Sequence, residues 1–208
     1  MNHANTQWRR HALGALTLAS CLALTSCTTV EKINVKPSPL GDAFARERFP
    51  LHVALVLDEG FTNYTYRRPT IGTEVFPLGP SLAQYARHVC GTAFQSVTAV
   101  SNVQQVSGKE QCVLIPRVVG ASFEQALSGL SEPEMVVIVE WALKDRATQT
   151  VLWLATVEGK SKEVMGTSFT YQKHKRIRYQ KLFDDLSRNT AAAFANSPEI
   201  KHLVQPER

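Results

Sequence analysis

The chain lacks the usual marks of an enzyme and of a membrane-spanning protein. Its 208 residues hold no Gly-x-Ser-x-Gly elbow, no His-Glu-x-x-His pair and no phosphate-cradling Gly-rich loop. That removes the motif-borne routes to serine hydrolysis, zinc hydrolysis and nucleotide chemistry. The apolar run Ala12 to Leu24 falls short of the ~20 residues that a bilayer-crossing helix needs. Internal repeats and low-complexity tracts are missing, which excludes a solenoid. Acidic residues are unevenly absent: none of the 18 Asp and Glu lies in residues 1–26, and none lies from Val164 to Phe183. Cysteine is scarce, with four in all.

What is present begins with an export signal. Trp8-Arg9-Arg10-His11 forms a basic start, the uncharged run to Leu24 follows, and small residues close it. This is the pattern of a secretory leader. Directly after the run, Leu24-Thr25-Ser26-Cys27 resembles the bacterial lipobox. Leu18-Ala19-Ser20-Cys21 is a second match, but cleavage there leaves a very short apolar region, so Cys27 is the expected lipidation site. The resemblance implies a thioether-linked diacylglycerol on Cys27 and an acyl group such as palmitate on its amine. One acyl chain holds a protein marginally and two or more hold it firmly, at ~0.8 kcal/mol per buried methylene. Thr28 stands where the known inner-membrane retention signal has aspartate. The implied address is therefore the outer membrane, with the domain facing the periplasm.

Removing residues 1–26 leaves 182 residues and takes away two of the 23 Lys and Arg, so the mature chain carries a net charge of +3. That length fits one domain. Thr28 to about Gly41, with Pro37 and Pro39, is expected to be a semi-stiff spacer, giving a tether over 27–49 and a single domain over 50–208. In an oxidising compartment the two remaining cysteines, Cys90 and Cys112, are a candidate disulfide; two buried thiols are the competing outcome.

Patterning predicts the domain's elements. Leu51 to Leu57 reads as a strand buried on both faces. Helical spacing of Leu82, Tyr85, Ala86, Val89, Cys90, Phe94 and Val97 predicts a helix starting at Gly79-Pro80. Strands are expected at 97–106, 112–123, 135–143 and 151–157, with Pro116 favouring an edge or a bulge. Residues 144–149 join two antiparallel strands. A final helix spans Tyr179 to Asn196, followed by a Ser197-capped turn. The order β-α-β-β-β-α predicts a two-layer α+β domain, its mostly antiparallel or mixed sheet covered by two amphipathic helices.

The Leu51 to Leu57 strand with Asp58, the Gly79-Pro80-Ser81-Leu82 helix start, the Trp153-to-Gly159 strand end and the Leu182-Phe183-Asp184-Asp185-Leu186 helix together resemble a group of Gram-negative envelope lipoproteins. The group includes YajG-like lipoproteins, auxiliary lipoproteins of ABC-type transporters, and domains similar to the amino-terminal domain of TolB. The resemblance implies a non-catalytic accessory or scaffolding role in an envelope complex, with no cofactor and no metal.

Candidate binding residues fall in two segments. Tyr171 to Lys181 carries Lys173, Lys175, Arg176, Arg178 and Lys181 among aromatics, with no acid, and suits an anionic lipid or glycan. Its composition also fits nucleic acid, which export argues against. Phe61 to Phe76 carries Tyr64, Tyr66, Arg67 and Arg68, residue types enriched at protein interfaces. A homo-oligomer stays among the alternatives. Asp58 and Glu59 form the best acidic pair, for which a solvated strand end is the competing reading. His52 reads as a strand-end residue. His88 and Cys90, two apart on a helix, point in different directions and make a poor metal pair.

Overall fold

The computed structural model describes residues 28–33, 35–40, 48–69, 73–123, 134–162 and 171–204, with side chains left out at 162 and 171–175. The elements are β1 (Thr28–Val30), β2 (Phe49–Val56), α1 (Glu59–Thr62), β3 (Thr65–Pro69), β4 (Thr73–Pro77), α2 (Gly79–Ala93), β5 (Phe94–Val100), β6 (Cys112–Phe123), β7 (Glu134–Asp145), β8 (Val151–Lys162), α3 (Tyr171–Asn196) and α4 (Pro198–His202). They form two units. One takes in the described residues up to Glu31 and those of Arg67–Phe76; the other takes in Lys32–Tyr66 and the described residues from Pro77 onward.

The smaller unit centres on a three-stranded sheet of order β1-β4-β3. β1 runs parallel to β4, with Thr28 opposite Thr73 and Val30 opposite Val75. Arg68 is ion-paired with Glu74 and stacks 5.5 Å from the centre of the Phe76 ring.

The larger unit is an α+β domain built on a five-stranded mixed sheet of order β5-β2-β6-β7-β8. β2 pairs parallel with β5 and β6, while β6, β7 and β8 are antiparallel. Parallel neighbours need a crossover connection, and α2 lies between β2 and β5. Val53, Ala54 and Leu55 are wholly buried, as a near-continuous apolar run demands. α2 buries Leu82, Tyr85, Ala86, Val89 and Cys90, and α3 buries Tyr179, Leu182, Phe183, Leu186, Ala191 and Phe194. The core is tied by polar as well as apolar contacts. Trp141 Nε1 on β7 donates to the Tyr85 hydroxyl on α2 at 3.2 Å, and that hydroxyl shares a 2.5 Å bond with Thr190 Oγ1 on α3. Around this triangle Phe194 meets the rings of Phe94, Trp141 and Trp153 at 5.3–5.4 Å.

Two glycines allow close approaches. A Cβ on Gly79 would lie 2.0 Å from the Thr62 carbonyl oxygen, so only glycine lets α2 start against α1. A Cβ on Gly159 would lie 2.6 Å from Leu186 Cβ and 2.9 Å from the Leu182 carbonyl, so α3 crosses β8 at backbone distance there. On either side of Gly159, α3 satisfies the strand's outer edge. Asp185 accepts from Lys160 N at 2.9 Å, and Asn189 Nδ2 donates to the Glu158 carbonyl at 2.8 Å.

Several expectations are revised. The helix begun at Gly79 ends at Ala93, and the next strand starts at Phe94 and stops at Val100. Phe94 is already extended and packs into the aromatic core. Pro116 sits in β6, which has neighbours on both sides, yet pairing with β2 stops at Leu114 and the register slips between Val118 and Gly120. The proline thus falls where β6 has lost its second partner, just before an irregularity. α3 begins at Tyr171, eight residues before the expected start. Ser197 caps α4 as expected, its Oγ accepting from Ile200 N.

The Cys90–Cys112 bridge is corrected: both are free, buried thiols. Cys90 packs inside α2, while Cys112 sits in the sheet opposite Val53 and Asp145. Burial pushes both thiols up, and Asp145 adds to the shift at Cys112. Since the thiolate is the reactive form, alkylation of the native protein at about pH 8 is expected to leave both untouched. In urea without reductant both are expected to react, as mass measurement would register. Reaction only after reduction would show a bridge instead.

Candidate functional site

The two segments singled out by composition meet in part within the larger unit, through the residues up to Tyr66. Tyr66 lies 5.0 Å from the ring of Phe123, which lies 6.2 Å from Tyr179. The aromatic end of β6 therefore links the start of β3 to the third turn of α3. The individual residues then part company. Tyr64 is half-buried, and burial, then the neighbouring Tyr66, raise its pKa; its carbonyl accepts from Gly79 N at 2.9 Å. Arg68 belongs to its pair with Glu74, whereas Arg67 is exposed. On α3, Arg176 and Lys181 are exposed, Arg178 is half-buried and Tyr179 is buried. Lys173 and Lys175 lie on the helix backbone, with their side chains outside the described set. Cys27 lies outside the described residues.

The acidic pair after β2 has a local job. Asp58 caps α1, its Oδ1 accepting from Phe61 N at 2.8 Å, as a carboxylate at a helix start does. His52 is exposed and its N–H donates to Gln111 Oε1. His88 Nε2 is buried without a partner. Among the described residues no three His, Cys, Asp or Glu converge as metal ligands. No described helix is long and apolar enough to cross a membrane.

Two features escaped the sequence reading. The first is the stretch expected to be a spacer. From Lys32 to Leu40, over its described residues, it is a strap docked on the helices of the larger unit. Ile33 and Val35 are buried, and Val35 N donates to Ser81 Oγ at 3.3 Å in the first turn of α2. Gln180 Nε2 donates to the Lys36 carbonyl at 2.9 Å. Asp184 accepts from Ser38 N at 2.7 Å and from Ser38 Oγ at 2.9 Å, while Gln180 also reaches Asp184. Lys32 and Lys36 remain exposed. The docking rests on two buried apolar side chains, one hydroxyl and several backbone groups, too short a pattern to be read in the sequence.

The second is the face of the sheet turned from α2 and α3. Along β7 the inner positions Met135, Val137, Val139, Trp141 and Leu143 are buried, while Val136, Ile138 and Ala142 on the alternate positions are only half-buried. Across the register, Ala142 sits between Ile115 and Leu154, and Glu140 between Arg117 and Thr156. Leu154 is 58% exposed, and Val119 and Val151 are also open. A strand apolar at both alternations signals burial on both sides, and that signal was legible in 135–143.

No protein-family model matches the chain, and no curated protein matches it. Solved structures with a similar fold include a Xanthomonas campestris protein of the DUF330 family, at 13% identity and a TM-score of 0.45 over 82% of this chain and 98% of that one. A minor lipoprotein from Acinetobacter baumannii follows at 12% identity, TM-score 0.41, over 70% and 91%. A PelC variant from Paraburkholderia phytofirmans, solved as a dodecamer, has 19% identity and a TM-score of 0.37 over 73% and 94%.

Proposed function

We propose that this chain is a membrane-anchored accessory lipoprotein of the bacterial envelope. In this reading Cys27 carries the lipid and the domain faces the periplasm from the outer membrane. It acts as a non-catalytic docking or scaffolding component of a transport, export or assembly complex. The observation that carries the reading is the outer face of β7 and β8. Val136, Ile138, Ala142 and Leu154 stand apolar at positions where a solvated face would be polar, with Glu140, Thr156, Glu158 and Lys160 interleaved among them and Arg117 beside them on β6. An apolar patch with polar neighbours is the make-up of a protein interface.

The test places a photo-activated cross-linker at Thr156 in living cells. A discrete adduct with one envelope protein is expected, lost on Leu154→Arg while stability changes by less than about 0.5 kcal/mol. A cross-linker that finds no discrete protein partner would sink the reading. A second reading, contact with an anionic envelope lipid or glycan through 171–181, is favoured by the exposure of Arg176 and Lys181.

A further inference from the structure

The docked strap has a direction. Lys36 meets Gln180 and Ser38 meets Asp184, so strap and α3 run the same way. Followed backward, the strap comes from the side where α3 begins, and Val35 meets the first turn of α2 on the way. The strap therefore enters the larger unit from the end at which α3 begins. Cys27 precedes the buried Ile33 by six residues, at most about 20 Å of extended chain. Undocked, the 22 residues from Cys27 to Phe49 would reach about 75 Å. The strap also adds charge: Lys32 and Lys36 are exposed, and the Lys36 carbonyl meets Gln180, which lies on α3 between exposed Arg176 and exposed Lys181. The acid nearest them on α3, Asp184, is engaged by Ser38 and Gln180.

We infer that the strap is an orienting clamp: it shortens the tether and sets Lys32, Lys36, Arg176 and Lys181 against the anionic phospholipid headgroups of the leaflet that holds the anchor. The inference rests on Cys27 as the anchor and on the second reading above, and it names the lipid source. Cations act on an anionic surface only within about a Debye length, ~10 Å, so a short tether and a fixed orientation are what make such a small basic set effective. A long spacer would leave the domain tumbling beyond that range.

The experiment uses the full mature chain with its natural lipid, inserted in vesicles of phosphatidylcholine alone or of phosphatidylcholine with phosphatidylglycerol. Lysines are labelled with a membrane-impermeant amine reagent and read by mass spectrometry, which also reports the lipid on Cys27. Lys32, Lys36 and Lys181 are expected to label about fivefold more slowly on the anionic vesicles, with exposed Lys109 and Lys201 unchanged. Raised salt is expected to remove the difference. In Asp184→Ala with Gln180→Ala, the difference at Lys181 is expected to fall below about twofold. Ser38→Pro, which removes the N–H donor and the hydroxyl without touching α3, takes its place if that variant unfolds. Persistent protection of Lys181 in the released-strap variant overturns the clamp and leaves the second reading standing. Equal labelling of the unaltered chain on both vesicles overturns both. A mature chain without lipid on Cys27 overturns the anchor and the clamp together.

Discussion

Gly159→Ala is expected to lower stability by about 3 kcal/mol, through overpacking that backbone on both sides prevents from relaxing. The new methyl group would stand 2.6 Å from Leu186 Cβ and 3.0 Å from its Cα, and 2.9 Å from the Leu182 carbonyl. None of these is the far end of a flexible side chain. α3 must lift, and in lifting it loosens the bonds from Lys160 N to Asp185 and from Asn189 to the Glu158 carbonyl. For a chain of this size the fall in Tm is about 6–12 °C. Thermal unfolding followed by circular dichroism measures it. A variant that melts within about a degree of the parent would show that α3 does not cross β8 as closely as described.

Trp141→Ala is expected to cost more, about 4–5 kcal/mol, as for large aromatic truncations in a sealed core. Trp141 is fully buried, packs edge-on against Tyr85 and Phe194, and donates the indole N–H to the Tyr85 hydroxyl. Truncation leaves a cavity where α2, α3 and the sheet meet. Trp141→Phe keeps most of the ring packing and gives up the hydrogen bond, for a loss of about 1–2 kcal/mol. The Tyr85 hydroxyl keeps Thr190 in that variant. Urea midpoints at unchanged slope compare the two. Equal losses for both variants would assign the effect to the hydrogen bond and overturn the packing account.

Much of the fold was legible because much of it is periodic. β2, α2, β6, β7 and β8 each repeat an apolar position at strand or helix spacing, and each is found within a few residues of its expected bounds. α3 was legible only from Tyr179, where Leu182, Phe183 and Leu186 begin to mark a buried face. The sequence of its first turns is rich in Lys and Arg, and a helix without an apolar stripe leaves no period to see. β1, β3 and β4 are three to five residues long, too short for alternation to separate them from loop.

The candidate site was legible as composition and not as geometry. Basic residues at 173–181 stand out in the chain, but the strap that docks beside Gln180 comes from some 140 residues away in sequence. Asp184 and Asp185 read as an ordinary acidic pair on a helix. In the structure they serve opposite ends of the packing, one holding Ser38 and the other Lys160.

The occupation of β8 by Asp185 and Asn189 gives the sheet a polarity of growth. Unpaired strand edges invite a further strand. In the five-stranded sheet β5 pairs with β2 only, while α3 meets the outer edge of β8 at Glu158 and Lys160. Two molecules that met through β5 would each use up that edge. Association by that route ends at a pair and cannot propagate into a filament, which matters for molecules confined by an anchor to a crowded surface.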